Sequence, residues 1–200
     1  EEEPAGKLGG GDFDRDGDLD LYMVNRLLEE LNILYRNNGD GTFSDVTQTA
    51  GVDGTIDKMG LVVTAFDYNN DLWPDIYIGN DMDTGNIFYK NNGDGTFSDV
   101  SEITGMDLNF SSMGLAAGDY DNNGYLDIYV TNLDWGNALM RNNGDGTFTD
   151  VADELGLLVN LISWGTNFID YDNDGRIDLY VVASCISGTG NNGTLGCSWN

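Results

Sequence analysis

The stretch AGDYDNNGYLDIYVTN (117–132) joins an acidic loop to a strand-like segment whose side chains alternate between two faces. The same arrangement returns in GDFDRDGDLDLYMVN (11–25), AFDYNNDLWPDIYIGN (65–80) and FIDYDNDGRIDLYVVA (168–183). The first acids of the four loops are separated by 55, 52 and 51 residues. A nearly constant period of this length indicates a repeat protein in which each repeat forms one supersecondary unit.

A second repeated element, NNGDGTF, follows the acidic loop in three repeats, at 37–43, 91–97 and 142–148. Asn-Gly and Asp-Gly supply the positive φ angles that a tight hairpin needs. Each repeat is therefore interpreted as four short strands, which is the composition of a propeller blade. We predict an all-β fold, a partial β-propeller of roughly 3.5–4 blades, each blade a four-stranded antiparallel repeat of about 50 residues.

The whole chain, 1–200, is predicted to form a single propeller segment with repeats at approximately 5–52, 53–106, 107–157 and 158–200. Aromatic residues recur at blade spacing and are expected to pack between strands; they are Phe43, Phe97, Phe148, Tyr22, Tyr77, Tyr129 and Tyr180. The segment RLLEELNIL (26–34) has helical periodicity, but it stands where the other repeats have turns. A helical turn and an elaborated loop both remain open there.

Composition narrows the range of functions. The 200 residues carry 35 acidic side chains against 8 basic ones, a net charge of −27. This balance argues against nucleic acids and anionic membranes as partners, since both are bound by basic patches. No apolar run approaches the roughly 18 residues of a membrane span, so no membrane insertion is expected. The sequence contains no histidine, which removes the commonest general base and a usual zinc ligand.

The acids are concentrated in the four loops, where oxygen-bearing side chains occupy the first, third, fifth and ninth places. The predicted ligands are Asp12, Asp14, Asp16, Asp20; Asp67, Asn69, Asp71, Asp75; Asp119, Asp121, Asn123, Asp127; and Asp170, Asp172, Asp174, Asp178. Alternate residues of a tight turn converge on one centre, and Ca²⁺ prefers hard carboxylate and amide oxygens. The sequence thus predicts up to four calcium ions, one in each loop.

An EF-hand is the main competing interpretation of these loops. It needs a bidentate acid at the twelfth place and flanking helices. The twelfth places here are apolar and lie inside predicted strands; they are Met23, Ile78, Val130 and Val181. The loop at 67–75 is expected to form a weaker or differently shaped site, because its sixth place is Leu72 where the other loops have glycine. A side chain at that place is expected to strain a sharp turn.

The Asp-x-Asp/Asn-x-Asp/Asn-Gly-x-x-Asp loop, the Leu/Ile-Tyr pair that follows it and the NNGDGTF hairpin resemble the FG-GAP or VCBS-like repeats of the integrin α-subunit propeller. The resemblance spans about residues 5–183 and extends to secreted proteins related to cartilage acidic protein. It implies a β-propeller, usually seven-bladed, with calcium between the first two strands of a blade and an adhesive or matrix role. Three complete repeats and the first half of a fourth do not close such a ring.

Two further features fit an extracellular protein. Cys185 and Cys197 are close enough in sequence to form a disulfide, although two free thiols are the alternative. Asn109 and Asn192 stand in Asn-x-Ser/Thr sequons, which either accept glycans or occur by chance.

Function is expected to lie in binding, and no enzymatic activity is expected, because every clustered acid already has a role as a metal ligand. The predicted partners are other protein chains, including copies of this chain that close a ring or join head to tail into a filament. The alternative is a lectin-like propeller that binds glycans through an exposed tryptophan, with Trp135 and Trp164 as candidates.

Overall fold

The structure, a computed structural model, describes residues 7–26, 30–55, 57–133, 136–159 and 161–184. Within these ranges the strands are β1 (Lys7–Gly11), β2 (Asp20–Val24), β3 (Ile33–Asn37), β4 (Phe43–Asp45), β5 (Met59–Phe66), β6 (Asp75–Asp81), β7 (Ile87–Asn91), β8 (Phe97–Asp99), β9 (Ser112–Gly118), β10 (Asp127–Asn132), β11 (Ala138–Asn142), β12 (Phe148–Asp150), β13 (Ile162–Ile169) and β14 (Asp178–Ser184). Two single-turn helices, α1 (Thr47–Ala50) and α2 (Ser101–Thr104), follow β4 and β8.

The strands form three antiparallel four-stranded sheets and one two-stranded sheet. In each four-stranded sheet the strands are hydrogen-bonded in chain order, so that β1–β4, β5–β8 and β9–β12 are up-and-down meanders. β13 pairs with β14 in the remaining sheet. The predicted all-β architecture of propeller blades is confirmed, with the fourth blade described through its first two strands, and the described sheets do not close into a ring.

The first strands of the sheets, β1, β5, β9 and β13, lie side by side, which sets the sheets next to one another as blades. The neighbouring backbones approach closely. A Cβ atom at Gly114 on β9 would collide with the carbonyl of Trp164 on β13. Glycine suits this position because it lets a second backbone come into contact.

The hydrophobic core lies between neighbouring blades rather than within one sheet. Phe97 of the second blade packs edge-on against Phe13 of the first, with ring centroids 5.9 Å apart. Phe148 of the third blade packs on Phe88 and Tyr68 of the second, at 6.0 and 6.2 Å. The phenylalanine of each of these NNGDGTF hairpins therefore packs on the preceding blade, where aromatic contacts add to the effect of apolar burial.

Phe43 and Tyr180 depart from the predicted packing. They are 45% and 60% exposed, whereas Phe148 and Tyr129, at the same places in the third blade, are buried. Phe43 lies in the first blade and has no preceding blade among the described residues. Tyr180 lies in the fourth blade, which is described through two strands only. Burial of a repeated aromatic residue therefore depends on which neighbouring blade is present.

A buried tyrosine on the second strand ties each complete blade to the segment that follows its last strand. The hydroxyl of Tyr77 donates to the carbonyl of Met106 at 3.1 Å and accepts a bond from Asn86 Nδ2 at 2.8 Å. The first and third blades repeat the donated bond, from Tyr22 to the Val52 carbonyl and from Tyr129 to the Leu157 carbonyl. The blade and the connection to the next blade are thereby fixed to each other.

The segment 26–34 is not helical where the structure describes it. Arg26 and residues 30–32 are irregular, and β3 begins at Ile33, while residues 27–29 lie outside the described ranges. The described part is thus a connection between β2 and β3, as the position in the repeat indicates. The helical turns α1 and α2 occur elsewhere, after the last strand of a blade, and the sequence pattern does not predict them.

Several predicted features lie outside the described residues, namely Cys185, Cys197, Asn192 and Trp135. Asn109 is described and is exposed in the segment between α2 and β9, so its sequon is accessible. Across the described ranges, no helix has both the length and the apolar character needed to span a bilayer.

Replacing Tyr77 with phenylalanine tests the role of the buried hydroxyl. The change leaves the Met106 carbonyl and the Asn86 amide without this partner in a buried site, so we expect Tyr77→Phe to lower the free energy of unfolding by about 1–3 kcal/mol. Tyr180→Phe is the matched control, because Tyr180 holds the same place in the fourth blade and is 60% exposed. Urea denaturation that shows equal effects for the two variants would contradict the assignment.

Candidate metal centres

Each acidic loop connects the first strand of a blade to the second and closes on its own carboxylates. The first-place carboxylate accepts the backbone N–H groups of the fifth and sixth residues, at 2.7–3.1 Å across the four loops. The ninth-place carboxylate accepts the N–H of the second residue, at 2.9–3.1 Å. These bonds hold the loop as a tight turn and bring its two ends together.

Three loops bring together the carboxylates of the first, third and ninth places. The groups are Asp12, Asp14 and Asp20; Asp119, Asp121 and Asp127; and Asp170, Asp172 and Asp178. Within each group, one carboxylate oxygen per residue lies within 4.8 Å of the others. Two oxygens bound to one Ca²⁺ are at most about 5 Å apart, because each lies about 2.3–2.6 Å from the ion. Each group is therefore compact enough, and hard enough in its donor atoms, to hold one calcium ion.

The second loop has the same backbone arrangement with a different set of oxygens. Asn69 occupies the third place, so the three-acid group of the other loops is not formed here. Its Oδ1 accepts the N–H of Asp71 at 3.1 Å, and its Nδ2 donates to Asp71 Oδ2 at 2.9 Å. An amide oxygen is still a suitable calcium ligand, but the third place of this loop carries no negative charge.

The fifth-place residues do not belong to these groups; they are Asp16, Asp71, Asn123 and Asp174. Each accepts the N–H of the seventh residue through Oδ1, at 2.8–2.9 Å, and so closes a second small turn. Asp174 also forms an ion pair with Arg176. In the first, third and fourth loops the structure thus brings together the acids of the first, third and ninth places. In all four loops it holds the fifth-place residue in a separate turn.

Burial makes the ninth-place carboxylates of the first three loops costly to ionise. It raises the pKa of Asp75 to about 7 and that of Asp127 to about 6, and it also raises the pKa of Asp20. Between the ordinary pKa of 3.8 and about 7, the folded metal-free chain keeps a proton on Asp75 that the unfolded chain releases. The stability contributed by this proton is lost as the pH rises to about 7, and a bound cation would offset that loss.

One contributor to the sites is a residue that sequence reasoning missed, the first asparagine of the NNGDGTF motif. The backbone N–H of Asn37, Asn91 and Asn142 donates to the ninth-place carboxylate, at 2.8 Å in each blade. By itself the motif predicts only a hairpin turn. Its recurrence after the acidic loop in each complete repeat is the signal that could have linked it to the site.

The sixth place of each loop adopts the left-handed conformation. Gly17, Gly124 and Gly175 have φ angles of 97°, 88° and 83°, and Leu72 has a φ angle of 72°. The Leu72 side chain is 67% exposed, so burial does little to offset the strain. The second loop therefore carries the backbone strain that its sequence predicts.

The sequence profile of the FG-GAP-like repeat matches residues 12–78, 67–130 and 119–181. Each match begins at the first-place acid of one loop and ends in the second strand of the next blade. The repeat defined by the profile thus runs from one acidic loop through the next.

Curated relatives include cartilage acidic protein 1 from Xenopus tropicalis, 27% identical over 168 residues, and from Homo sapiens, 27% identical over 158 residues. Both matches cover 74% of this chain and 24% of the relative. The chain therefore spans about a quarter of the length of the curated relatives it matches. Among solved structures, it is similar to an Agrocybe aegerita lectin described as recognising non-reducing terminal N-acetylglucosamine, with 24% identity, a TM-score of 0.47, and coverage of 86% of this chain and 45% of that chain.

Replacing Leu72 with glycine tests the strain in the second loop. Glycine adopts a positive φ without a steric cost, so we expect Leu72→Gly to raise the free energy of unfolding by about 1 kcal/mol. The reverse change, Gly124→Leu, is the matched control, since a Cβ atom at Gly124 meets nothing within 4 Å and only the backbone conformation opposes it. It should lower the stability by a similar amount. Denaturant titrations in which both variants move the same way would refute this explanation.

Proposed function

The chain belongs to the FG-GAP-like repeat family, and on that premise we propose that it is an extracellular, calcium-binding β-propeller module with a structural and adhesive role. The observation that carries the proposal is the in-register grouping of three carboxylates in three of the four loops, the first, the third and the fourth. Repeats of this family often bind Ca²⁺ in such loops. The full set of predicted ligands, including those at the fifth places and in the second loop, belongs to this proposal.

Calcium in this role stabilises the fold rather than performing chemistry. The ninth-place acids Asp75 and Asp127 are fully buried at the start of the second strand of their blades. Each acid is bonded both to its loop and to the end of the third strand. A cation at the loop would therefore neutralise the group that joins loop, strand and hairpin. We propose that the module has no catalytic activity, in keeping with the lack of histidine in the sequence.

An extracellular location fits both the chemistry and the relatives. Calcium modules that work outside the cell bind with dissociation constants of about 10⁻⁴–10⁻³ M, and surface loops with several carboxylates can supply such an affinity. The curated relatives are named for cartilage and for their acidic character. This chain shares that acidity, with a net charge of −27.

The fourth blade offers a surface for another protein chain. Trp164, Tyr171, Tyr180 and Val182 are 46%, 79%, 60% and 44% exposed, whereas Tyr129, equivalent to Tyr180, is fully buried in the third blade. Exposed apolar surface of this kind marks an interaction site. We propose that a second copy of the chain covers it, since another blade of the same type has the side chains that pack on such a face.

Carbohydrate binding is the second candidate function, and it rests on the half-exposed indole of Trp164. The Nε1–H group of that indole already donates to Ser184 Oγ at 3.1 Å. The exposure of Trp164 is also shared by the other apolar residues of the same blade. The observations thus favour a protein partner over a glycan at this surface.

Removal of calcium tests the main proposal. A single site saturated at 100 times its dissociation constant stabilises by about 2.7 kcal/mol, which corresponds to roughly 5–10 °C in Tm for a chain of this size. We expect EDTA to lower the Tm by at least this amount and added Ca²⁺, but not Mg²⁺, to restore it. The double variant Asp119→Asn, Asp121→Asn should bind one ion fewer by calorimetry. A melting curve unchanged by EDTA would refute calcium binding.

Sedimentation velocity tests association through the fourth blade. In calcium and at micromolar concentration we expect dimers or larger species, because the exposed apolar face is buried on association. Tyr180→Asp should shift the chain toward monomer. Ile103→Asp, which places the same charge at a 76% exposed position on α2, is the control and should not do so. A chain that stays monomeric across this range would rule out self-association.

A further inference from the structure

Asn91, the first asparagine of the second NNGDGTF motif, is buried beside the second metal loop. Its backbone N–H donates to Asp75 Oδ1 at 2.8 Å, and its Oδ1 accepts the N–H of Gly93 at 2.9 Å. Its Nδ2 donates to the carbonyl of Pro74 at 3.1 Å. These bonds fix the ninth-place carboxylate of the loop and the hairpin of the same blade.

The same side chain also reaches into the preceding blade. Nδ2 of Asn91 donates to the carbonyl of Phe13 at 2.9 Å. Phe13 is the second residue of the first metal loop, and its own N–H donates to the ninth-place carboxylate of Asp20 at 2.9 Å. One buried amide thus lies between two loops and is one peptide away from a candidate ligand in each.

Asn142 repeats this bridge between the second and third loops. Its N–H donates to Asp127 Oδ1 at 2.8 Å, and its Nδ2 donates to the carbonyl of Tyr68 at 2.8 Å. The N–H of Tyr68 in turn donates to Asp75 Oδ2 at 3.1 Å. The three loops are therefore joined in series by two buried asparagines.

Side chains on the outside of the loops add a second set of contacts between the same neighbours. The guanidinium of Arg15, in the first loop, lies over the ring of Trp73 in the second, 5.1 Å from its centroid. Nδ2 of Asn70, in the second loop, donates to the carbonyl of Gly124 in the third at 3.0 Å. Each loop thus touches the next through both a buried and an exposed contact.

We infer that neighbouring metal loops bind Ca²⁺ cooperatively, and that Asn91 and Asn142 are the positioning residues that couple them. This inference rests on the proposed calcium binding. A cation that orders the first loop also orders the Phe13 peptide, whose carbonyl accepts the Asn91 side-chain amide. The backbone N–H of Asn91 in turn holds the Asp75 carboxylate of the second loop. The second loop then loses less conformational freedom when it binds its own ion, and by linkage the effect is reciprocal.

Asn37 provides an internal comparison for these two asparagines. Its N–H donates to Asp20 Oδ1 at 2.8 Å and its Oδ1 accepts the N–H of Gly39 at 3.1 Å, as in the other blades. Its Nδ2 donates to the carbonyl of Leu19 in its own blade at 3.2 Å. Asn37 thus has the local role without a bridge to a preceding loop among the described residues.

Terbium luminescence allows the second loop to be followed by itself. Tb³⁺ takes oxygen ligands as Ca²⁺ does, and its emission is sensitised by a nearby indole. Trp73 is the seventh residue of the second loop, and its N–H is bonded to Asp71 Oδ1 at 2.9 Å. Trp73 also lies beside Arg15 of the first loop. The part of the signal that both Trp73→Phe and Asp67→Asn remove is therefore assigned to the second loop, and competition with Ca²⁺ gives its calcium affinity.

The test is to replace acidic ligands of the first loop, which we call silencing that loop, and to measure the calcium affinity of the second loop. Asp12→Asn with Asp14→Asn removes the charges. Asn at position 12 keeps one of the two oxygens that accept loop N–H groups, and the matched change at Asp170 keeps one of its two in the same way. We expect the affinity of the second loop to fall at least about fivefold. Asp170→Asn with Asp172→Asn removes equal charge from the fourth loop, two blades away, and should have little effect. In an Asn91→Ala background, silencing the first loop should no longer change the calcium affinity of the second loop. In an Asn37→Ala background, silencing the first loop should still lower that affinity.

Each outcome bears on the inference. A second loop whose affinity does not respond to the silenced first loop overturns the coupling and leaves calcium binding standing, whereas absence of binding by every loop overturns both. Coupling that survives Asn91→Ala removes the assigned role of Asn91. If Asn91→Ala does not fold, as judged by circular dichroism, Asn142→Ala combined with a silenced third loop gives the same test with the same Trp73 signal.

Discussion

A carboxylate buried at the start of the second strand is the constraint on which the rest of each complete blade depends. Asp75 and Asp127 are inaccessible to solvent, and each accepts one N–H from its loop and one from the end of the third strand. The other acids of the loop lie close by and add to the negative charge instead of balancing it. An isolated buried charge is strongly unfavourable. The blade can therefore fold with this carboxylate buried only if the charge is compensated at the loop.

The second constraint is that a blade cannot bury its own apolar face. The three hydrophobic clusters lie between adjacent blades, and the second and third blades, with a neighbour on each side, contain the most completely buried strands, β6 and β10. The strands of the fourth blade, β13 and β14, are far more exposed. The stability of such a protein is a sum of terms for single repeats and for the interfaces between them. The second and third blades are therefore expected to be the most stable part of the described chain.

The sequence allowed the repeat, the strands and the grouping of carboxylates in three loops to be predicted, because each depends on local pattern. Side chains that alternate between two faces along 126–132 predicted the strand, and oxygen-bearing side chains at the first, third, fifth and ninth places predicted the loop. Whatever depends on a neighbouring blade could not be predicted in this way. Phe43 and Phe148 are identical in motif and differ in burial, and the Nδ2 atoms of Asn37 and Asn91 have different partners. The helical turns α1 and α2 also escaped prediction, since four residues are too few to show a period.

The packing of one blade on the next has a direction. The hairpin phenylalanine contacts the blade before it, as Phe148 contacts Tyr68, whereas the tyrosine hydroxyl bonds to the connection that leads to the blade after it, as Tyr77 bonds to Met106. The two faces of a blade are therefore different surfaces, and the contact between them is heterologous. A copy that docks in the manner of a further blade must present its first blade to the fourth blade of its neighbour, and a dyad axis, which places identical faces together, reproduces none of the contacts that hold this chain together.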